Sequence, residues 1–259
     1  MSLNEWKPAP SWGAFAFLLL IQIYVTHALG FMAHEYAHST TAWLFGWKAN
    51  PLALNYGHLS VGNLLAQLDI DENVDYAPIF AAGHGVLAGV IAAAGAVIGN
   101  GLISFPVSLW GFARARRVGS RTWAMFFYWL CVMSVGNFWD YVPVRTFAPH
   151  GDMATVAQGF RCSPWWVLVV LGLPFGVGIV YFFVRFAPRA VRWLLPESRA
   201  RRRVVVLLTA AGFFGYFGMS GVSGYGAVSH WISMISACAL LPVVAVVRLW
   251  ETNRVRATA

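Results

Sequence analysis

"FAFLLLIQIYVTHALGFMAHEYAHSTTAWLFG", residues 15–46, opens with a run that carries no formal charge until Glu35. About 20 apolar residues suffice to carry a helix across a bilayer, so this stretch reads as a membrane span. Lys7 ahead of it and "THA" at 26–28 imitate a signal peptide. The apolar sequence resumes through Phe31 to Trp47, however, so an uncleaved first helix is expected. The same stretch then places His34, Glu35 and His38 in the span's last part, where an acid is costly to hold.

The rest of the chain has the same character. It is 59% hydrophobic and 11% charged, whereas soluble domains carry about 25% charged residues. Further apolar runs at 78–112, 122–138, 164–187, 204–222 and 229–249 join a first span over 12–46. The sequence therefore predicts an all-α polytopic membrane protein of about six helices. Gly30 is a candidate break in the first run, and Asn100-Gly101 and Pro106 in the second. "ANPLALNYGHLSVG", residues 49–62, alternates loosely and contains Gly57, which predicts a short β-hairpin after the first helix.

Charge gives an orientation. All of the 18 Lys and Arg except Lys48, Arg145 and Arg161 fall on one side of a six-span arrangement. Basic loops stay in the cytoplasm, so both termini are expected there, as in a bacterial inner-membrane protein. The "RARRR" run at 199–203 then reads as an anchor against anionic lipid headgroups, and no nucleic-acid partner is needed to explain the net charge of +8. Cys131, Cys162 and Cys238 form no CxxC pair or Cys/His cluster, which leaves neither a disulfide framework nor a zinc finger.

On a helix, residues four apart share a face, so His34 and His38 can offer two imidazole nitrogens to one metal ion. Glu35 sits beside them as a general acid/base, able to take a proton from water and pass one to a leaving amine. A zinc site of this type needs a third protein ligand. The non-basic stretch "GNFWDYVPVRTFAPHGDMATVA", residues 136–157, lies on the same expected side as the two histidines. It offers Asp152 and Asp140, with His150 a weaker choice; Asp152 is favoured because it opens a short helix after Gly151. A helix cap or a partner for Arg145 would explain either aspartate equally simply. His84, among small residues, could approach the metal or serve as an interhelical polar group, and His27 reads as packing or a proton path. No HxxHH occurs, which argues against a di-iron lipid oxidase.

Four stretches in order resemble the site-2 protease family of intramembrane zinc metalloproteases. "HEYAH" (34–38) matches its HExxH, and "AWLFGWKANPLALNYG" (42–57) resembles the segment that follows. "AAGHGVLAGVIAAAG" (81–95) is similar to its "AAGPxxN" helix, with His84 and Gly89 where the family carries Pro and Asn. "GNFWDYVPVRTFAPHGDM" (136–153) is similar to its third-ligand segment, although Gly151-Asp152 reverses the usual Asp-Gly order. The resemblance implies a metalloprotease core over residues 1–160, with additional C-terminal helices over 161–259. It implies zinc on His34, His38 and Asp152, catalysis by Glu35 and a positioning role for Asn137. The implied substrate is a membrane protein cut in or near its transmembrane helix. The alternative from another class is a non-catalytic metal-binding membrane protein, such as a transporter or sensor.

Overall fold

The computed structural model describes residues 11–67 and 69–242, all of whose regular elements are helical. Helix α1, Trp12–Leu44, starts where the Ser11 hydroxyl accepts from the Ala14 N–H. It is unbroken at Gly30. That glycine instead lets Met133 Cβ come within 3.5 Å of where its own Cβ would stand. The expected break is a close helix crossing.

Residues 45–75 form no hairpin. A single antiparallel bridge joins Asn55 to Asp71, and the short helix α2, Val61–Ala66, follows. Polar side chains compete here with a strand ladder. Lys48 Nζ donates to the carbonyls of Ala53, Glu72 and Asn73 at 2.9, 2.9 and 2.6 Å. The Asn63 amide donates to the carbonyls of Tyr56 and His58. Pro51 has no N–H to give, and Gly57 turns the chain at φ 61°. The segment folds back along α1, where Tyr24 donates to the Leu64 carbonyl and His27 meets Gln67.

Helices α3, Tyr76–Ala81, and α4, Gly85–Ala94, lead into a continuous helical rod ending with α5, Phe105–Arg117. Asn100-Gly101 does not interrupt the rod. Residues Gly95–Ser104 widen into π-helical turns, which absorb an extra residue without losing the helix. Pro106 follows directly on these widened turns, inside the rod, and does not end it.

Helix α6, Arg121–Trp139, is the centre of the molecule, and every residue from Tyr128 to Phe138 is buried. Its neighbours are α1, the α4–α5 rod, α8 (Pro164–Tyr181), α9 (Ala187–Leu194) and the π-helical turn 211–217 that follows α10 (Arg199–Ala210). Beyond α6 a second π-helical turn, Asp140–Val144, breaks at Val142 and hands the chain to α7, Asp152–Gly159. Helix α11, Gly226–Cys238, closes the described part.

Four described helical stretches are long and apolar enough to cross a membrane: Trp12–Leu44, Gly85–Arg117, Pro164–Leu194 and Arg199–Val222. They match four of the expected runs. The run at 122–138 is the buried α6, and the one at 229–249 extends outside the described residues, as do Lys7, Arg248, Arg254 and Arg256. At the start of α1, Arg201 stacks over Trp12 and Phe15, and Gln22 reaches the Thr122 carbonyl. The basic ends of α6 and α10 therefore gather at one end of α1, and His34 and His38 lie toward the other.

Candidate metal centre

Helix α1 delivers both histidines to one point. Their side chains are 2% and 1% exposed, and their Nε2 atoms face each other at 2.9 Å. Asp152 completes a triangle, with Oδ2 3.1 Å from His34 Nε2 and 3.2 Å from His38 Nε2. Its placement depends on how α7 docks. Gly159 presses against Gly85 and Gly89 so closely that a Cβ there would overlap the α4 backbone. A crossing of small residues thus draws α7 onto α4 and sets its first residue beside the histidines. Gly151, at φ 83°, makes the turn into that helix. Burial alone would push the Asp152 carboxyl up, but the His38 and His34 imidazoles outweigh it and hold it below the usual carboxylate range.

The donor set fits a divalent ion such as zinc. Three atoms about 3 Å apart can all lie about 2.1 Å from one centre, the bond length zinc makes to nitrogen and oxygen. The fold also keeps that place open. A Cβ on Gly95 would overlap Nε2 of both histidines, so the missing side chain leaves a cradle where an ion would sit. Asp152 keeps 18% of its side chain exposed and is the wettest of the three, on the side where a fourth position can open.

The histidines are held from behind. His38 Nδ1 donates to the Ile91 carbonyl at 2.7 Å, which leaves its Nε2 lone pair facing the triangle. His34 Nδ1 lies 3.0 Å from the Asn100 amide, and Tyr141 stacks on the His34 ring. Glu35 is buried at 5% exposure, yet makes no hydrogen bond or ion pair with any described residue. A carboxylate in that setting needs water or a substrate proton to satisfy it.

The other candidates lie elsewhere. Asp140 is engaged by Arg145, at 3.0 Å, and by the Ser220 hydroxyl, so it serves as the structural ion pair. His150 contacts the Gly224 carbonyl and His84 packs near Trp47. The Asn137 amide donates to the Met133 carbonyl one turn back on its own helix. His27 bridges Gln67 and Tyr216 instead of touching the triangle. Asn100, Tyr141 and Gly95 were not foreseen as site residues; the one sequence signal was a polar Asn inside an apolar span.

Neither family models, nor curated proteins, nor solved structures provide a match to this chain.

Proposed function

We propose that this protein is an intramembrane zinc metallopeptidase that hydrolyses a peptide bond in or beside the transmembrane helix of another membrane protein. The convergence of His34 Nε2, His38 Nε2 and Asp152 Oδ2 next to a buried Glu35 that has no polar partner among the described residues carries the reading. Six spans with both termini in the cytoplasm of a bacterial cell belong to the same proposal.

His34, His38 and Asp152 would hold the zinc. Bound zinc supplies Lewis acidity, polarising a carbonyl and lowering the pKa of water. Glu35 takes the proton of the attacking water and returns it to the departing amine, so the carboxylate ends as it began. The buried walls around His34 and His38 exclude bulk water, which strengthens each electrostatic contact in the site. A positioning role for Asn137 belongs to the same proposal, since its amide donates one N–H to the Met133 carbonyl and keeps a second N–H and an acceptor oxygen.

The test uses purified protein in detergent or vesicles with a panel of single-span substrates. Wild type should carry one zinc per chain and cleave. Glu35→Gln should keep its zinc and lose about 10²–10⁴-fold in rate, the range typical of general acid–base groups. Wild type without zinc, or Glu35→Gln cleaving at the normal rate, would defeat the proposal. Zinc retained without cleavage of any substrate would favour the transporter or sensor reading.

A further inference from the structure

Holding a metal through Nε2, as proposed above, sets a condition on the other nitrogen of His34. An imidazole that ligates through Nε2 must carry its remaining proton on Nδ1, and something must accept that proton. For His38 the acceptor is the Ile91 carbonyl. For His34 the group at Nδ1 is the side-chain amide of Asn100, whose Nδ2 lies 3.0 Å away. Asn100 is fully buried, and its Oδ1 has no hydrogen-bond partner among the described residues. An unpartnered buried carbonyl oxygen beside an imidazole that needs an acceptor is a complementary pair. A half-turn of the amide about its last bond exchanges two groups of nearly equal size and brings Oδ1 to Nδ1.

We propose that Asn100 is a positioning residue for the metal site, its Oδ1 accepting the Nδ1–H of His34 and so fixing the tautomer and ring angle in which Nε2 is a ligand. Two features of the rod place it there. Gly99 lets the rod touch the backbone of α1, because a Cβ at that position would collide with the Ala33 carbonyl and the His34 Cα. The π-helical turns of Gly95–Ser104 then direct Gly95 and Asn100, five positions apart, to opposite ends of the same imidazole. In a regular α-helix, residues five apart are rotated well off a common face.

Zinc affinity of the purified full-length chain, measured by competition with a chelating indicator, tests this without any proteolysis assay. Asn100→Leu, with the same branching and number of heavy atoms but without an acceptor, should bind zinc about 10–100-fold more weakly, the usual effect of losing such an outer partner. Asn100→Asp, an acceptor in either orientation, should bind at least as tightly as wild type. Equal affinity in Asn100→Leu and wild type, or an Asn100→Asp as weak as Asn100→Leu, would overturn the assignment. Should Asn100→Leu fail to fold, nitrogen-15 histidine spectra of zinc-loaded wild type decide instead: His34 should carry a slowly exchanging proton on Nδ1, and a freely exchanging one overturns the proposal. Wild type that binds no zinc would sink the metal-site reading and this inference with it, whereas zinc binding without cleavage leaves this inference standing.

Discussion

Tyr141 lies almost flat against His34, their ring centroids 4.3 Å apart and their planes 24° from parallel. The Arg145 guanidinium in turn sits 5.0 Å from the Tyr141 ring centre while pairing with Asp140. The π-helical turn 140–144 therefore supports His34 from the side, without joining the triangle of His34, His38 and Asp152. Removing the ring should open a cavity beside His34. Tyr141→Ala should cost about 3–5 kcal/mol in unfolding free energy, the range for deleting a buried aromatic, and should weaken zinc binding. Tyr141→Phe keeps the stack and should leave both unchanged. Unfolding in detergent together with a zinc titration checks this; a Tyr141→Ala protein with normal affinity would show that the stack does not orient His34.

Gly95 offers a sharper test, because its substitution fills the space an ion would take. Alanine is favoured over glycine in a helix by about 0.5–1 kcal/mol, which offsets only part of the roughly 1–3 kcal/mol that overpacking a buried site costs. In Gly95→Ala the added Cβ would overlap Nε2 of His34 and His38. The expected protein is monodisperse and folded, somewhat less stable than wild type, and carries well under one zinc per chain. Full zinc occupancy by elemental analysis would show that the imidazoles can retreat from the added methyl.

The meeting of His34 and His38 was legible because its information is local: two histidines one turn apart need only a helix to converge. Asp152 could be favoured over Asp140 but not settled, since that depends on how α7 crosses α4, and no residue spacing encodes that contact. Asn100 was visible as a helix breaker next to Gly101, whereas it is a buried group facing His34. Reading it so required knowing that Gly95–Ser104 is π-helical, which shifts every later residue around the rod and defeats a 3.6-residue period. The hairpin expected over 49–62 failed for a related reason: Lys48, Asn55 and Asn63 bind backbone groups that a ladder would have used. Loose alternation of apolar residues does not register such competition.

The two aspartates that sequence could not separate should now behave differently. Asp152→Asn removes a charged ligand and should abolish tight zinc binding while leaving the helices packed. Asp140→Asn strands the Arg145 guanidinium and should cost about 3 kcal/mol, the low end for breaking a largely buried ion pair, since Arg145 keeps some contact with water. Zinc content should survive it. Elemental analysis and unfolding of both variants decide the matter, and the reverse pattern would transfer the ligand role to Asp140.

His27 holds three elements together, and its loss should be felt in the loop before it is felt at the metal. Its Nδ1 donates to Gln67 Oε1 at 2.6 Å, and its Nε2 accepts from the Tyr216 hydroxyl at 3.0 Å. Gln67 is buried and holds a left-handed backbone at φ 54°, so the end of α2 relies on that hydrogen bond to stay against α1. Seven residues of helix separate His27 from His34, about 10 Å at 1.5 Å per residue, too far for direct contact with the ion. His27→Phe preserves the ring stacking but leaves the buried Gln67 Oε1 without its partner, at roughly 1–3 kcal/mol, whereas the half-exposed Tyr216 loses little. Hydrogen exchange over residues 56–67 should therefore accelerate about tenfold or more, because 1.4 kcal/mol of lost local stability is a factor of ten in the open population. Zinc stoichiometry should stay at the wild-type value. Unchanged exchange in that segment would mean that α2 is held by its apolar contacts alone, and loss of zinc would place His27 in the metal site after all.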